Sequence, residues 1–168
     1  GGGARVSRLA EGHAIRRAAG AADVDAARAL LLEYAAWLQE DLGFQGFAAE
    51  LATLPGASAP PDGRLVLACF RAHPVGCVAL RRFDAQTGEV KRLYVQPDHR
   101  GHGLGGALAA AVTGAARAIG YRRLVLDTLE RMPAARGLYA ALGFREIAPY
   151  YETPLAGTRF MALALRDD

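Results

Sequence analysis

The sequence has only two cysteines, Cys69 and Cys77, each inside an apolar run, and no further Cys-x-x-Cys or His spacing accompanies them. That excludes a disulfide framework and leaves no zinc pattern, so both read as buried thiols and no metal site is expected. There is no apolar run of 18 residues, the length a helix needs to cross a bilayer. The Ala-rich start also lacks the basic, apolar and cleavage regions of a signal peptide, so the expectation is a soluble, cytoplasmic chain with no membrane partner. An excess of one charge is missing too: 20 basic against 17 acidic residues leave a net +3. Pairs such as Arg16-Arg17, Arg81-Arg82 and Arg122-Arg123 are scattered, so no nucleic-acid partner is expected, although the mild positive field favours anionic ligands. Repeats and low-complexity tracts are absent as well. At 168 residues the chain suits one domain, burying about 70% of its unfolded surface. Residues 1–10 read as a flexible lead and 11–168 as that domain.

What the sequence has in quantity is glycine at one place. Gly88 to Gly120 runs from a β-branched and aromatic stretch, Val90 to Val95, through a turn at Gln96-Pro97-Asp98. Arg100-Gly101-His102-Gly103-Leu104-Gly105-Gly106 then passes straight into a helix. Leu104, Ala107, Leu108, Ala111, Val112, Ala115 and Ile119 recur at steps of three and four, one apolar helical face, and Gly120 suits a left-handed C-terminal position. Strand, glycine loop and helix in that order bring bare backbone amides and the positive end of a helix dipole to one point. With no Cβ at Gly101, Gly103, Gly105 and Gly106, a phosphate or pyrophosphate can approach those amides. Four glycines in six residues are costly in helix propensity, which weighs against a purely structural role.

The same glycines, as Gly101-x-Gly103-x-x-Gly106 with Asp127 downstream, match a dinucleotide-binding pattern. A dinucleotide-binding strand is an apolar run that enters its first glycine almost directly. Here the strand carries Glu89, Lys91 and Arg92, and five residues intervene. A triphosphate-binding loop is excluded because no Lys-Ser/Thr follows the glycines. Arg100-x-x-Gly103-x-Gly105, preceded by Leu93-Tyr94-Val95-x-Pro97, resembles instead the acetyl-CoA-binding segment of the GNAT-type N-acetyltransferases. Leu138-Tyr139-Ala140-Ala141-Leu142-Gly143-Phe144 is similar to that family's second signature, and Pro149-Tyr150-Tyr151 with Thr158 to Leu165 resembles one branch of it. The resemblance covers roughly residues 65–165.

The resemblance implies acetyl-CoA as donor co-substrate and direct transfer to a primary amine of a small molecule or peptide in a ternary complex. It implies that Arg100, His102, Leu104 and the amides of Gly101, Gly103, Gly105 and Gly106 hold the cofactor. The backbone of Leu93, Tyr94 and Val95 would pair with its pantetheine arm, and an amide of Leu93 or Tyr94 would stabilise the oxyanion. Glu89 stands six residues before Val95, where several relatives carry a catalytic glutamate; its bland alternative is an exposed strand-end carboxylate paired with Lys91 or Arg92. Asp127, taken as the end of the next strand, is the second candidate base, or a cap for the following turn. Tyr139 corresponds to the tyrosine that protonates the departing thiolate in many relatives, and it also belongs to a packing stripe with Leu138 and Leu142. Where many relatives have Asn, this chain has Met132. His99 and His102 read as surface residues beside Arg100, and His13 and His73 have no visible partner. Tyr34, Trp37, Phe44, Tyr150 and Tyr151 could wall an acceptor pocket. A non-catalytic acyl-CoA-binding module and a dinucleotide-binding domain are the alternatives, and a homodimer is the assembly the family suggests.

Along the chain, Glu11 to Ala18 reads as a strand and Asp23 as the cap of a helix ended by Gly43, followed by a second helix over Phe47 to Leu54. Arg64 to Ala72 and Pro74 to Phe83 form a hairpin about His73-Pro74, and Asp84 to Gly88 turns into the central strand. After the glycine-loop helix come a strand over Arg123 to Asp127, a helix over Pro133 to Leu142, and two last strands, Phe144 to Ala148 and Thr158 to Leu165. The predicted order is β-α-α-β-β-β-α-β-α-β-β. The fold class is α/β, a mixed, mostly antiparallel central sheet flanked by helices.

Overall fold

The computed structural model describes residues 9–166, with the backbone alone at Phe44; of the lead, residues 1–8 lie outside it. The chain runs β1 (His13–Arg17), α1 (Gly20–Leu38), α2 (Phe47–Thr53), β2 (Arg64–Phe70), β3 (His73–Arg82), β4 (Thr87–Val95), α3 (Leu104–Ile119), β5 (Arg123–Leu129), α4 (Pro133–Ala141), β6 (Arg145–Ile147) and β7 (Thr158–Ala164). The element order is the predicted one. The sheet order is β1-β2-β3-β4-β5-β7-β6, and only β4 and β5 run parallel. The fold is thus α/β with a mixed, mostly antiparallel sheet, which rules out the parallel sheet of a dinucleotide-binding domain.

Alternation along the strands makes two cores. Val66, Ala68, Val78, Leu80 and Val90 pack under α3, whose Leu104, Leu108 and Val112 are almost wholly buried. Each such burial is worth roughly 1.5–3 kcal/mol. On the other face Leu65, Leu67, Cys69, Cys77, Ala79 and Tyr94 pack against Ala27, Leu30 and Leu31 of α1.

Several boundaries differ from expectation for local reasons. The first helix starts at Gly20, and Asp23, within its first turn, reaches back to accept the N–H of Ala19 at 2.8 Å while pairing with Arg16. It ends at Leu38, where Gln39 takes φ 57°, four residues before Gly43. The β2–β3 hairpin turns at Arg71 and Ala72 (φ 48° and 70°), not at His73-Pro74; Arg71 N–H is secured by Gly12 C=O at 2.8 Å, and Pro74 sits beside a bulge.

The feature that positions the site is a split in the sheet. β4 and β5 pair only over Thr87–Glu89 against Arg123–Val125. Beyond Glu89, β4 bulges at Arg92 (φ 62°), where its register against β3 slips, while β5 stays paired to β7 as far as Leu129. The two halves diverge, and the edge of β4 from Val90 to Val95 faces a cleft instead of a strand.

Candidate active site

The glycine loop closes one end of this cleft. Gly101 and Gly103 hold φ +82° and +78°, conformations that side chains rarely adopt, and Gly103 is an N-cap without a side-chain hydrogen bond, so the first amides of α3 are left for another partner. A Cβ at Gly101, Gly103 or Gly106 would meet nothing within 4 Å. Gly105 differs: its Cβ would lie 3.1 Å from Leu138 Cδ1, so its missing side chain serves helix packing as well. In front of the loop lies a largely apolar groove of about 490 Å³. Leu93, Tyr94, Val95, Arg100, Gly101, Gly103, Leu104, Gly105 and Gly106 all line it. His102 does not; it is exposed and stacks on His13 at 5.2 Å. His13 therefore has partners, including Phe70 at 4.8 Å and His99 at 5.9 Å.

Arg100 donates from Nε to the carbonyl of Val95 at 2.9 Å and lays its guanidinium over Trp37 (4.8 Å) and Tyr94 (5.8 Å). Opposite it, Arg131 ties the β5–α4 loop to α1 through the carbonyl of Leu38 and through Glu40 at 3.3 Å. Met132 lines the groove as well.

The carboxylates lie deeper. Glu89 is 1% exposed, not a strand-end surface group, and both oxygens are engaged: Arg81 Nε donates to Oε1 at 2.6 Å and Tyr150 OH to Oε2 at 2.6 Å. Arg92 is committed elsewhere, to a two-pronged pair with Glu50 at 2.9 and 3.1 Å. Lys91, the chain's only lysine, is buried between the carboxylates, with Nζ 4.0 Å from Glu89 Oε2 and 3.1 Å from Asp127 Oδ2. Asp127 sits inside β5 opposite Phe160, not at the strand's end. Its Oδ2 also accepts Tyr151 OH at 2.8 Å, and no protein group donates to Oδ1 among the described residues. Two carboxylate–tyrosine pairs thus flank one ammonium.

Tyr139 on α4 is buried, its ring 5.4 Å from Phe144, and it faces a narrow cavity of about 50 Å³ with Asp127, Lys91 and Tyr34. Burial pushes its phenol well above the ordinary range, so it stays neutral. Burial and the neighbouring carboxylates, Glu89 and Asp127, do the same to Tyr150 and Tyr151. The aromatic candidates form two groups. Tyr34 and Trp37 pack on Tyr94, whereas Tyr150 and Tyr151 pack on Phe160, with Phe83 5.1 Å from Tyr150. The side chain of Phe44 lies outside the described residues.

Groove, cavity and a third opening adjoin one another and share wall residues. The groove and the narrow cavity share Leu93, Met132 and Ala135; the cavity shares Gln45, Lys91 and Tyr151 with a bay of about 310 Å³ lined by Arg81, Phe83, Glu89, Tyr150 and Glu152. Sequence reading missed Arg81. Counting back across the turn at residues 84–86 pairs Arg81 with Glu89 in the hairpin, and that was the available signal. No cluster of three His, Cys, Asp or Glu suited to a metal occurs among the described residues, and no helix there is long and apolar enough to cross a membrane. The thiols of Cys69 and Cys77 are buried and unpaired with each other.

Comparison with known proteins supplies the remaining finding. Residues 26–144 match the acetyltransferase (GNAT) family. An uncharacterised N-acetyltransferase of Schizosaccharomyces pombe is 35% identical over 145 residues, spanning 85% of this chain and 89% of its own. An acetyltransferase structure from Streptococcus agalactiae superposes with a TM-score of 0.75 at 23% identity, covering 92% of this chain and 99% of the other. A GNAT family acetyltransferase from Elizabethkingia anophelis, solved with acetyl-CoA bound, superposes at 0.64 with 21% identity, covering 92% and 99%. These two likenesses are of fold.

Proposed function

Because the chain belongs to the GNAT acetyltransferase family, we propose that it moves an acetyl group from acetyl-CoA directly to a primary amine. The observation that carries this reading is the run of adjoining pockets, along the split in the sheet, from the glycine-loop groove to the carboxylates of Asp127 and Glu89. The groove suits the donor: amides at the start of α3 and open glycine faces for phosphates, apolar walls for the pantetheine arm, and an unpaired β4 edge for its amides. Leu93, Tyr94, Val95, Arg100, Gly101, Gly103, Leu104, Gly105 and Gly106 would hold it, with Arg131 on the opposite lip; His102 lies outside the groove. Acetyl-CoA supplies the acetyl group as a thioester.

The chain's own residues do the rest. A backbone N–H of Leu93 or Tyr94 on the open edge is the donor to a developing oxyanion. An alkylamine near pKa 10 is about one part in a thousand free base at neutral pH, so a carboxylate within reach matters. Of the two, Asp127 faces the cleft with Oδ1 open, while both oxygens of Glu89 are taken. Asp127 takes a proton from the ammonium form, the free amine attacks the thioester carbon, and its second N–H proton passes to water as the N–C bond forms and the C–S bond breaks. Glu89 holds Tyr150 and faces Lys91. The neutral hydroxyl of Tyr139 gives a proton to the departing sulfur, and exchange with water resets both groups. No cysteine lines any of the three pockets, so the acetyl group has no thiol to rest on and both substrates must be bound together.

The test is release of CoA thiol from acetyl-CoA in the presence of an amine panel. The expected result is release that depends on both the amine and the enzyme. Acetyl-CoA binding with no release from any amine would favour the non-catalytic module.

A further inference from the structure

We propose that the bay over Tyr150 and Tyr151 is the acceptor subsite and that it takes an aliphatic primary amine carrying a second cationic group. The inference rests on the acetyl-transfer reading and adds what the acceptor is. The bay opens on the far side of the cleft from the donor groove and meets the cleft at Gln45, Lys91 and Tyr151. The bay shares no lining residue with the donor groove, and Asp127 lines the cavity that adjoins it.

Charge decides the class. Four charged side chains line the bay, and three are already committed: Arg81 to Glu89, and Lys91 to Asp127. Glu152 is exposed and forms no ion pair or hydrogen bond among the described residues. The bay therefore offers a substrate one spare negative charge and no spare positive one. A carboxylate on the acceptor would find no cation except by breaking one of these part-buried pairs, which carries a cost. A second ammonium would find Glu152, with the rings of Phe83 and Tyr150 beside it. The aromatic walls suit the methylenes between the two nitrogens.

The test uses equal-length series: straight diamines of four to six carbons, the matching alkylamines, and the matching ω-aminoalkanoates. Each is titrated calorimetrically into the protein with saturating CoA, and each is assayed with acetyl-CoA by thiol release. The expected result is that a diamine surpasses its monoamine roughly 10-fold in affinity and kcat/KM, with the aminoalkanoate last. Glu152→Gln should shrink the diamine-to-monoamine ratio, and Glu152→Lys should turn the order in favour of the aminoalkanoate; residue 152 is exposed, so both variants should fold. Diamines no better than monoamines, or an order indifferent to residue 152, would overturn the proposal. Diamine preference in binding with no thiol released from any amine would instead sink acetyl transfer and leave the bay as a dication site.

Discussion

At the scale of single residues, two carboxylates that look alike in sequence are left with different hydrogen-bond partners. Asp127 keeps one oxygen open to the cleft, so Asp127→Asn should lower kcat/KM at least about 100-fold with acetyl-CoA affinity kept, measured by initial rates beside calorimetry. Glu89→Gln should cost turnover less, and should raise the KM of the amine by loosening Tyr150 and Arg81. A larger loss in Glu89→Gln than in Asp127→Asn, with unchanged KM, would make Glu89 the base. Tyr139→Phe keeps the packing against Phe144 and removes only the hydroxyl, so kcat should fall while the KM for acetyl-CoA stays put. The buried thiol of Cys77 makes a separate prediction. Burial pushes it up to about 12, whereas an unfolded thiol titrates near 8.5. Above that pH the unfolded chain gives up its proton and the folded one keeps it, so stability that is full below about 8.5 is lost as pH rises toward 12. Thermal unfolding should show Tm level from about pH 7 to 8 and falling above it. Cys77→Ala, less stable at neutral pH, should lose less over the alkaline range.

Elements were legible in order and type but less so at their ends. The period of α3 and the β-branched runs fixed the layout, because both follow from which face is buried. Ends depend on partners that local pattern does not reveal. The start of α1 lies with Ala19 and the side chain of Asp23, and the β2–β3 turn leans on the carbonyl of Gly12. Glu89 and Asp127 were recognisable as candidates, yet the full burial of Glu89 and the half-burial of Asp127 were not, since a charged residue in a strand reads as exposed until its partners, Arg81 and Lys91, are set beside it. The glycine loop shows the same limit: Gly101, Gly103 and Gly106 leave open space, while Gly105 also lets α4 approach through Leu138. Gly106→Ala should therefore raise stability by about 0.5–1 kcal/mol through helix propensity, and weaken acetyl-CoA binding by placing a methyl at the groove. Chemical denaturation and titration of one preparation would show the two effects with opposite signs.

At the scale of the whole molecule, the bulge of β4 beside the cleft carries an ion pair that would cost stability to break. Arg92, buried at the bulge of β4, relies on Glu50 of α2, and Glu50→Ala should cost up to about 3–5 kcal/mol, less to the extent that water reaches the part-exposed carboxylate. The same architecture links function to stability. A ligand that binds only the folded chain at 100 times its Kd adds about 2.7 kcal/mol, some 5–11 °C in Tm for a domain of this size. The central claim is that the glycine-loop groove is a site for acetyl-CoA, and calorimetric titration with acetyl-CoA, run beside NADH, tests it most directly. Saturable acetyl-CoA binding at one site per chain, with none for NADH, is the predicted result. An acetyl-CoA titration with no binding would contradict the account at its centre, for the open glycines, the bare start of α3 and the unpaired edge of β4 would then have no ligand in common.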